Sequence, residues 1–377
     1  MTLTIVAPDS FGSKGDEALI RGALCVFKGD EIELLTTNFH ELSWRLELLD
    51  ICNQFHESIV PFENISEGIC KRTTLIIIGA DVMDGTCGFI PAASRIDAII
   101  KNEKLGGTSL IFSSFRSDVD FELLERISIL KGFGSRVKWY LRDYASLDNF
   151  VAQTGMAGAY FPDFAFYCPK LCSSRTNEIL SRVSLVKSRK QVVVGLNCSY
   201  HSFKSFYDKE TVEHANEYVS SVVNAIYKVI PDAYIFLITH DTRSWNGSWT
   251  DYDFALHALQ FVGERGELLP KNITYPELLS ILPCFDFIIS GRMHLTIAAF
   301  RSEVIPILYT GDGSKSEYSM IDKCKGMFDA RMGCPELVVS DEIGLIHAID
   351  LVFSKGSNFS KLLTEGNVQN SKEEANL

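Results

Sequence analysis

The sequence predicts an α/β protein built as two similar halves. Three observations carry that prediction. The apolar runs are short and β-rich, helix-length amphipathic segments separate them, and the pattern stops at a polar stretch and then restarts. Strands alternating with helices imply βαβ units, and hence parallel sheets covered on both faces. A length of 377 residues fits two domains at about 150 residues each.

In the first half the strands expected are Leu3–Ala7, Ile32–Thr36, Leu75–Ile78, Ser109–Phe112, Val137–Leu141 and Ala159–Phe161. Between them, Glu17–Phe27, Ser94–Lys101 and Phe121–Leu130 place apolar residues at helical spacing. Residues 1–170 form the first domain on this reading. The polar, basic stretch 171–190 reads as a helix plus a connection. The second domain, 191–355, has strands Gln191–Leu196, Ala233–Ile238, Phe285–Ile289 and Val304–Tyr309. A long helix is expected over Val212–Val229, and another between the last two strands. Residues 356–377 are a polar tail expected to fray. Two such domains predict a cleft between them, with ligands outside the carboxyl ends of the strands.

Charge and composition narrow the function. There are 36 Lys+Arg against 48 Asp+Glu, a formal charge of −12. That excess of acid argues against a general nucleic-acid binder, which needs a basic face, but leaves room for a small anion held by a few placed cations. No apolar run reaches the ~20 residues of a spanning helix, and the first residues read as a strand, not an export signal, so a cytoplasmic protein is expected. The ten cysteines include no Cys-x-x-Cys pair, and no cluster has metal-ligand spacing. No metal site is expected.

The loops after the strands hold the candidate chemistry. The first runs from Asp9 through Gly12, Lys14, Gly15, Asp16 and Glu17 into a helix. It is not a Walker loop, since no Gly-Lys-Ser/Thr follows. Its carboxylates either cap the helix or accept hydrogen bonds from sugar hydroxyls. After the strand at 75–78, Gly79-Ala80-Asp81 offers the same two choices. Arg142-Asp143-Tyr144-Ala145-Ser146 follows the strand at 137–141, with Asp143 read as a helix cap and Arg142 as a residue able to face the cleft. In the second half, Asn197, His240 and Asp241 stand at strand ends. The most informative stretch is Ser290-Gly291-Arg292-Met293-His294, where a buried strand turns into an apolar helix. A cation at a helix N-terminus faces a dipole end that is already positive, a conflict that an anion would resolve. Arg292 can grip a carboxylate or phosphate bidentately, and His294 can donate a proton near neutral pH. The glycine-rich loop at 310–315 brings Lys315 one βα unit away.

Taken in order, Gly15-Asp16-Glu17-Ala18, Arg142-Asp143 with Ser146, Pro162-Asp163-Phe164-Ala165-Phe166, Ser290-Gly291-Arg292-Met293-His294 and Lys315 resemble the polysaccharide pyruvyl transferase family. The resemblance spans about residues 3 to 320. The segment Gly79-Ala80-Asp81 departs from the glycine-rich run that members often carry there. The resemblance implies a GT-B-like fold of two facing Rossmann-like domains with the active site in the interdomain cleft. It implies phosphoenolpyruvate as donor, a sugar diol as acceptor, and a pyruvate ketal plus phosphate as products. No cofactor is needed on this scheme. The donor would meet Ser290, Gly291, Arg292, His294, Lys315, Arg142 and Asn197. The acceptor would meet Asp9, Gly15, Asp16, Glu17, Asp81 and Asp241. His294 is the expected acid, with Arg292 beside it, and Asp16, Asp81 or Asp241 the base. The acceptor would be a lipid-linked oligosaccharide, a nucleotide sugar or a glycan. A lipid-linked one would draw the protein to the inner face of the membrane. Two alternatives share the architecture: a GT-B-type glycosyltransferase using a nucleotide sugar, and a catalytically silent carbohydrate-binding homologue.

Overall fold

The structure is a computed structural model. It describes residues 3–8, 13–27, 31–36, 55–59, 62–79, 81–86, 88–243, 248–312, 321–332 and 334–354. Its contacts divide the chain into two compact units, 1–12 with 16–168, and 13–15 with 169–377. The three residues Ser13, Lys14 and Gly15 thus group with the second unit, although they lie at the start of the chain.

The first unit is a seven-stranded sheet in the order β3-β2-β1-β4-β5-β6-β7. The strands are β1 Leu3–Val6, β2 Ile32–Thr36, β3 Phe55–Ile59, β4 Thr74–Ile78, β5 Thr108–Ser113, β6 Val137–Leu141 and β7 Gly158–Tyr160. All adjacent pairs are parallel. Central strands of such a sheet are covered on both faces, which explains the unbroken apolar run of β4. One face packs Leu75, Ile77, Ile111, Trp139 and Leu141. The other packs Ile5, Leu34, Ile76, Ile78 and Phe112. Helices α1 Lys14–Val26, α2 Phe89–Lys104, α3 Phe121–Ile129 and α4 Tyr144–Thr154 belong to the crossovers.

The second unit repeats the plan with six parallel strands in the order β10-β9-β8-β11-β12-β13. These are β8 Val193–Asn197, β9 Tyr234–Leu237, β10 Gly266–Leu268, β11 Phe287–Ser290, β12 Ile305–Tyr309 and β13 Val338–Val339. Its helices include α5 Ser174–Ser188, α6 Tyr200–Phe206, α7 Val212–Val229, α8 Asp251–Val262, α9 Tyr275–Ile281, α10 Met293–Arg301 and α11 Ile321–Met332. Three of them start on reciprocal capping boxes, Ser173 with Thr176, Thr250 with Asp253, and Thr274 with Glu277. Among the described residues, no helix is long and apolar enough to cross a membrane.

Sequence reading passed over β3, β10 and β13. Each is an edge strand in its sheet order, and β10 and β13 are only three and two residues long. The Gly266-Glu267-Leu268 of β10 is half-buried along its length. The expected tail at 356–377 lies outside the described residues.

In both sheets the strand order reverses once, between β1 and β4 and between β8 and β11. Such a reversal leaves a crevice at the carboxyl ends, because the crossovers on its two sides depart to opposite faces. In the second unit those ends are Asn197 and Ser290, paired directly across β8 and β11.

Candidate active site

The turn after β11 is shaped by close contacts. Gly291 donates its N–H to the Asn197 carbonyl at 3.0 Å, and its own carbonyl accepts from Ser199 Oγ at 2.8 Å. A side chain at 291 would put its Cβ 2.7 Å from that of Ser202, so glycine is required by space. Ser290 Oγ accepts from the Arg292 N–H at 2.9 Å and fixes the entry to α10.

Arg292 then turns into a buried ionic network. Its Nη2 and Nε donate to the two carboxylate oxygens of Asp251 at 2.7 and 3.1 Å, and Nη1 lies 3.5 Å from Asp241. Asp251, which is fully buried, also accepts from Asn197 Nδ2 at 3.1 Å and from the N–H groups of Tyr200 and Asp241 at 3.1 and 3.2 Å. Asp241 accepts both Nε and Nη2 of Arg243, at 3.0 and 2.7 Å. The conflict of a cation at a helix N-terminus is therefore answered inside the chain. Burial alone would push the Asp241 carboxyl up, but Arg292 and Arg243 hold it well below the usual carboxylate range. Burial likewise opposes the charge on Arg292, and Asp251 and Asp241 more than restore it.

Beside this network stand two histidines and a lysine. His240 is 2 % exposed, and neither ring nitrogen has a hydrogen-bond partner among the described residues. Its carbonyl accepts the Lys14 N–H at 3.0 Å, and its ring meets Tyr275 edge-on at 6.4 Å. Burial pushes its pKa well below the ordinary value. Lys14, Arg292 and His294 push the same way, against Asp241. His240 is therefore held toward its neutral form beside Lys14 and Arg292. His294 is the second residue of α10, and its carbonyl accepts from Tyr275 Oη at 3.1 Å. Gly15 lies against it: a Cβ there would sit 2.5 Å from His294 Nδ1. Lys14 Nζ donates to the Lys271 carbonyl at 3.3 Å.

The remaining predicted residues belong to the first unit. Arg142 follows β6 and is ringed by carboxylates, Asp163 at 3.2 Å, Asp81 at 3.7 Å and Asp143 at 3.9 Å. Asp143 caps α4, accepting from Ser146 N at 2.7 Å. Asp81 accepts from Ser114 Oγ at 2.5 Å. Glu17 is buried in an ion pair with Arg21 at 2.8 Å, one turn along α1, and Asp16 is half-buried in the first turn. Thus Asn197, Asp241, Ser290, Gly291, Arg292, His294 and Gly15 come together in the second unit. Arg142, Asp16, Glu17 and Asp81 lie in the first. Asp9 and Lys315 fall outside the described residues. Sequence reading missed Asp251 and Arg243. The Thr250-x-x-Asp253 signature marks a helix start, but nothing in it announces a partner 41 residues on. Among the described residues no group of acidic, histidine and cysteine side chains has the arrangement of a metal site.

These observations define the class of fold first: α/β, with two Rossmann-like units of the GT-B type. Solved structures agree. Anabaena HepE, determined with UDP and glucose, superposes with a TM-score of 0.59 at 10% identity, covering 99% of this chain and 95% of that one. A putative UDP-N-acetylglucosamine 2-epimerase of Listeria monocytogenes gives 0.56 at 10% identity, over 96% and 90%. The UDP-GlcNAc 2-epimerase of Neisseria meningitidis bound to UDP-GlcNAc gives 0.53 at 10%, over 96% and 94%. At such identity the likeness is one of fold. The family likeness is narrower: the model for polysaccharide pyruvyl transferases matches residues 133–310, just under half of the chain. That stretch contains Arg142-Asp143, Pro162-Asp163 and Ser290–His294, so the resemblance read from those motifs is shown there. No curated protein matches.

Proposed function

We propose that this protein transfers the pyruvyl group of phosphoenolpyruvate to a sugar of a polysaccharide or its precursor, forming a pyruvate ketal and releasing phosphate. The observation that carries this reading is that the family match ends on the β11–β12 region, whose Ser290–His294 turn stands at the strand-order reversal of the second unit among Lys14, His240 and Arg292.

The chemistry asks for cations on the donor, an acid for its methylene carbon and a base for the acceptor. His294 is assigned as the acid, adding a proton to the methylene carbon as positive charge develops at C2. Arg292, its Nε and Nη2 held by Asp251, and Lys315 are the cations proposed for the donor, while Arg142, ringed by Asp81, Asp143 and Asp163, is the least suited to an anion. Asn197, Ser290 and Gly291 hold the turn and the N-terminus of α10, whose N–H groups would meet the departing phosphate. One acceptor hydroxyl attacks C2 and gives up its proton. The second displaces phosphate as the ketal closes, and its proton leaves with the phosphate. Of the three carboxylates proposed as base, Asp241 is held ionised by two arginines and is the poorest proton acceptor. Asp16 and Asp81 are the better choices. Asp9, Gly15 and Glu17 complete the proposed acceptor set. The scheme requires no metal or cofactor. A lipid-linked acceptor would bring the enzyme to the cytoplasmic face of a membrane.

A second reading is favoured by one observation. The fold matches above include structures determined with UDP or UDP-GlcNAc, over nearly the whole chain. A nucleotide-sugar enzyme would use the same cations for a diphosphate. Thermal shift separates the two, since a ligand bound to the native state raises the melting point. Phosphoenolpyruvate should raise it and UDP-sugars should not. The reverse result would favour the nucleotide-sugar reading.

A further inference from the structure

The carboxyl ends of β6 and β7 carry a feature that the scheme above does not use. The two strands pair in parallel with Leu141 opposite Tyr160. The chain leaves β6 through Arg142 and Asp143 into α4, whose first residue, Tyr144, is 55% exposed. Its ring lies on that of Tyr160, centroids 4.9 Å apart and planes 16° from parallel. The backbone that carries both rings is anchored. Asp143 fixes the start of α4 through Ser146, accepting its N–H at 2.7 Å and its Oγ at 2.9 Å. The β7 end is held by the Phe161 N–H on the Leu141 carbonyl at 3.0 Å. The result is a stacked aromatic pair at the carboxyl ends of β6 and β7, the last two strands in the sheet order, with Tyr144 more than half exposed and Tyr160 half-buried.

The charge beside it selects the kind of ligand. Arg142 is outnumbered by Asp81, Asp143 and Asp163, so the cluster carries excess negative charge. Asp81 is the most open of the three, at 20%. Excess negative charge disfavours an anion and suits a neutral, hydroxyl-rich molecule. A pyranose ring has an apolar C–H face that packs on an aromatic ring, and hydroxyls that donate to carboxylates.

We propose that the Tyr144–Tyr160 stack is a platform for a neutral sugar ring, a hexose or N-acetylhexosamine of the acceptor. Its C–H face packs on Tyr144, and its hydroxyls turn toward the Asp81 side. This inference rests on the acceptor half of the proposed function. The competing role is mechanical, with the stack bracing α4 on β7.

The test is saturation-transfer NMR on the full chain without phosphoenolpyruvate. The probes are methyl glycosides of glucose, galactose, mannose and the N-acetylhexosamines. The platform predicts saturation of at least one glycoside. Tyr144→Ala weakens its binding by about tenfold, and Tyr144→Phe, which keeps the ring, restores it. Melting points should stay close to wild type. Absence of glycoside binding, or binding unchanged in both Tyr144→Ala and Tyr160→Ala, overturns the proposal. So does a lowered melting point in Tyr144→Ala with glycoside affinity retained, which is the bracing role. Phosphate release from phosphoenolpyruvate is measured in parallel. Tyr144-dependent glycoside binding without any phosphate release upholds the platform and removes the pyruvyl reading.

Discussion

His240 shows how a single side chain separates stability from function. An imidazole buried with no partner for either nitrogen among the described residues costs the native state about 1–3 kcal/mol for each group so left. Its pKa is lowered in the fold, so the unfolded chain binds the proton first. Stability therefore falls as pH drops below the ordinary value of 6.5 toward the lower folded value. His240→Leu removes both penalties. Its melting point should equal or exceed that of wild type at pH 7, and the loss of stability as pH falls below 6.5 should flatten. A lower melting point at both pH values would show that the ring is bound to something it needs. Asp241 has the opposite device in a lower window. Its folded pKa is depressed, so its contribution is complete above the ordinary 3.8 and is lost as pH falls below that value. Acid titration of Asp241→Asn should lack that low-pH limb, at the cost of reduced stability at neutrality. Asp251→Ala should be the most damaging change in the network, about 3–5 kcal/mol, because it strands the buried Arg292. Chemical denaturation reads this directly, and a loss below 1 kcal/mol would show that water replaces the carboxylate.

At the scale of the element, two glycines mark where turns were built around side chains. Gly291 sits against Ser199 and Ser202, while Gly15 sits against the ring of His294. Gly15→Ala must displace either the first turn of α1 or the imidazole. Since the obstacle is a side chain that can rotate, turnover should fall more than stability does. A melting point unchanged with full turnover would show that His294 moves aside at no cost to catalysis. The sequence made the elements themselves readable wherever burial was complete. The run Thr74–Ile78 and the apolar helix after Arg292 could be assigned from composition alone. The edge strands β3, β10 and β13 could not: β3 mixes charged and apolar residues, and β10 and β13 are too short to show a periodicity. The cluster was half legible for a similar reason. Ser290–His294 announces a strand-to-helix turn with cations in it. Asp241 stands at a strand end and could be read, but Asp251, which holds Arg292 with two bonds, comes from a helix that is close only after folding.

On the scale of the molecule, the two sheets repeat one topology, and each reverses its order once. The net charge of −12 conceals a local group of Lys14, His240, Arg292 and His294 at the reversal of the second sheet. This group is proposed to perform pyruvyl transfer, with His294 as the acid. The most direct test is phosphate release from phosphoenolpyruvate with candidate sugars present, paired with mass spectrometry of the sugar, in wild type and His294→Ala. The account predicts that wild type releases phosphate in step with a pyruvyl mass gain on the acceptor. His294→Ala should lose about 10²–10⁴-fold in turnover with an unchanged melting point. Turnover at the wild-type level in His294→Ala, or phosphate released with no mass gained by any acceptor, would contradict it.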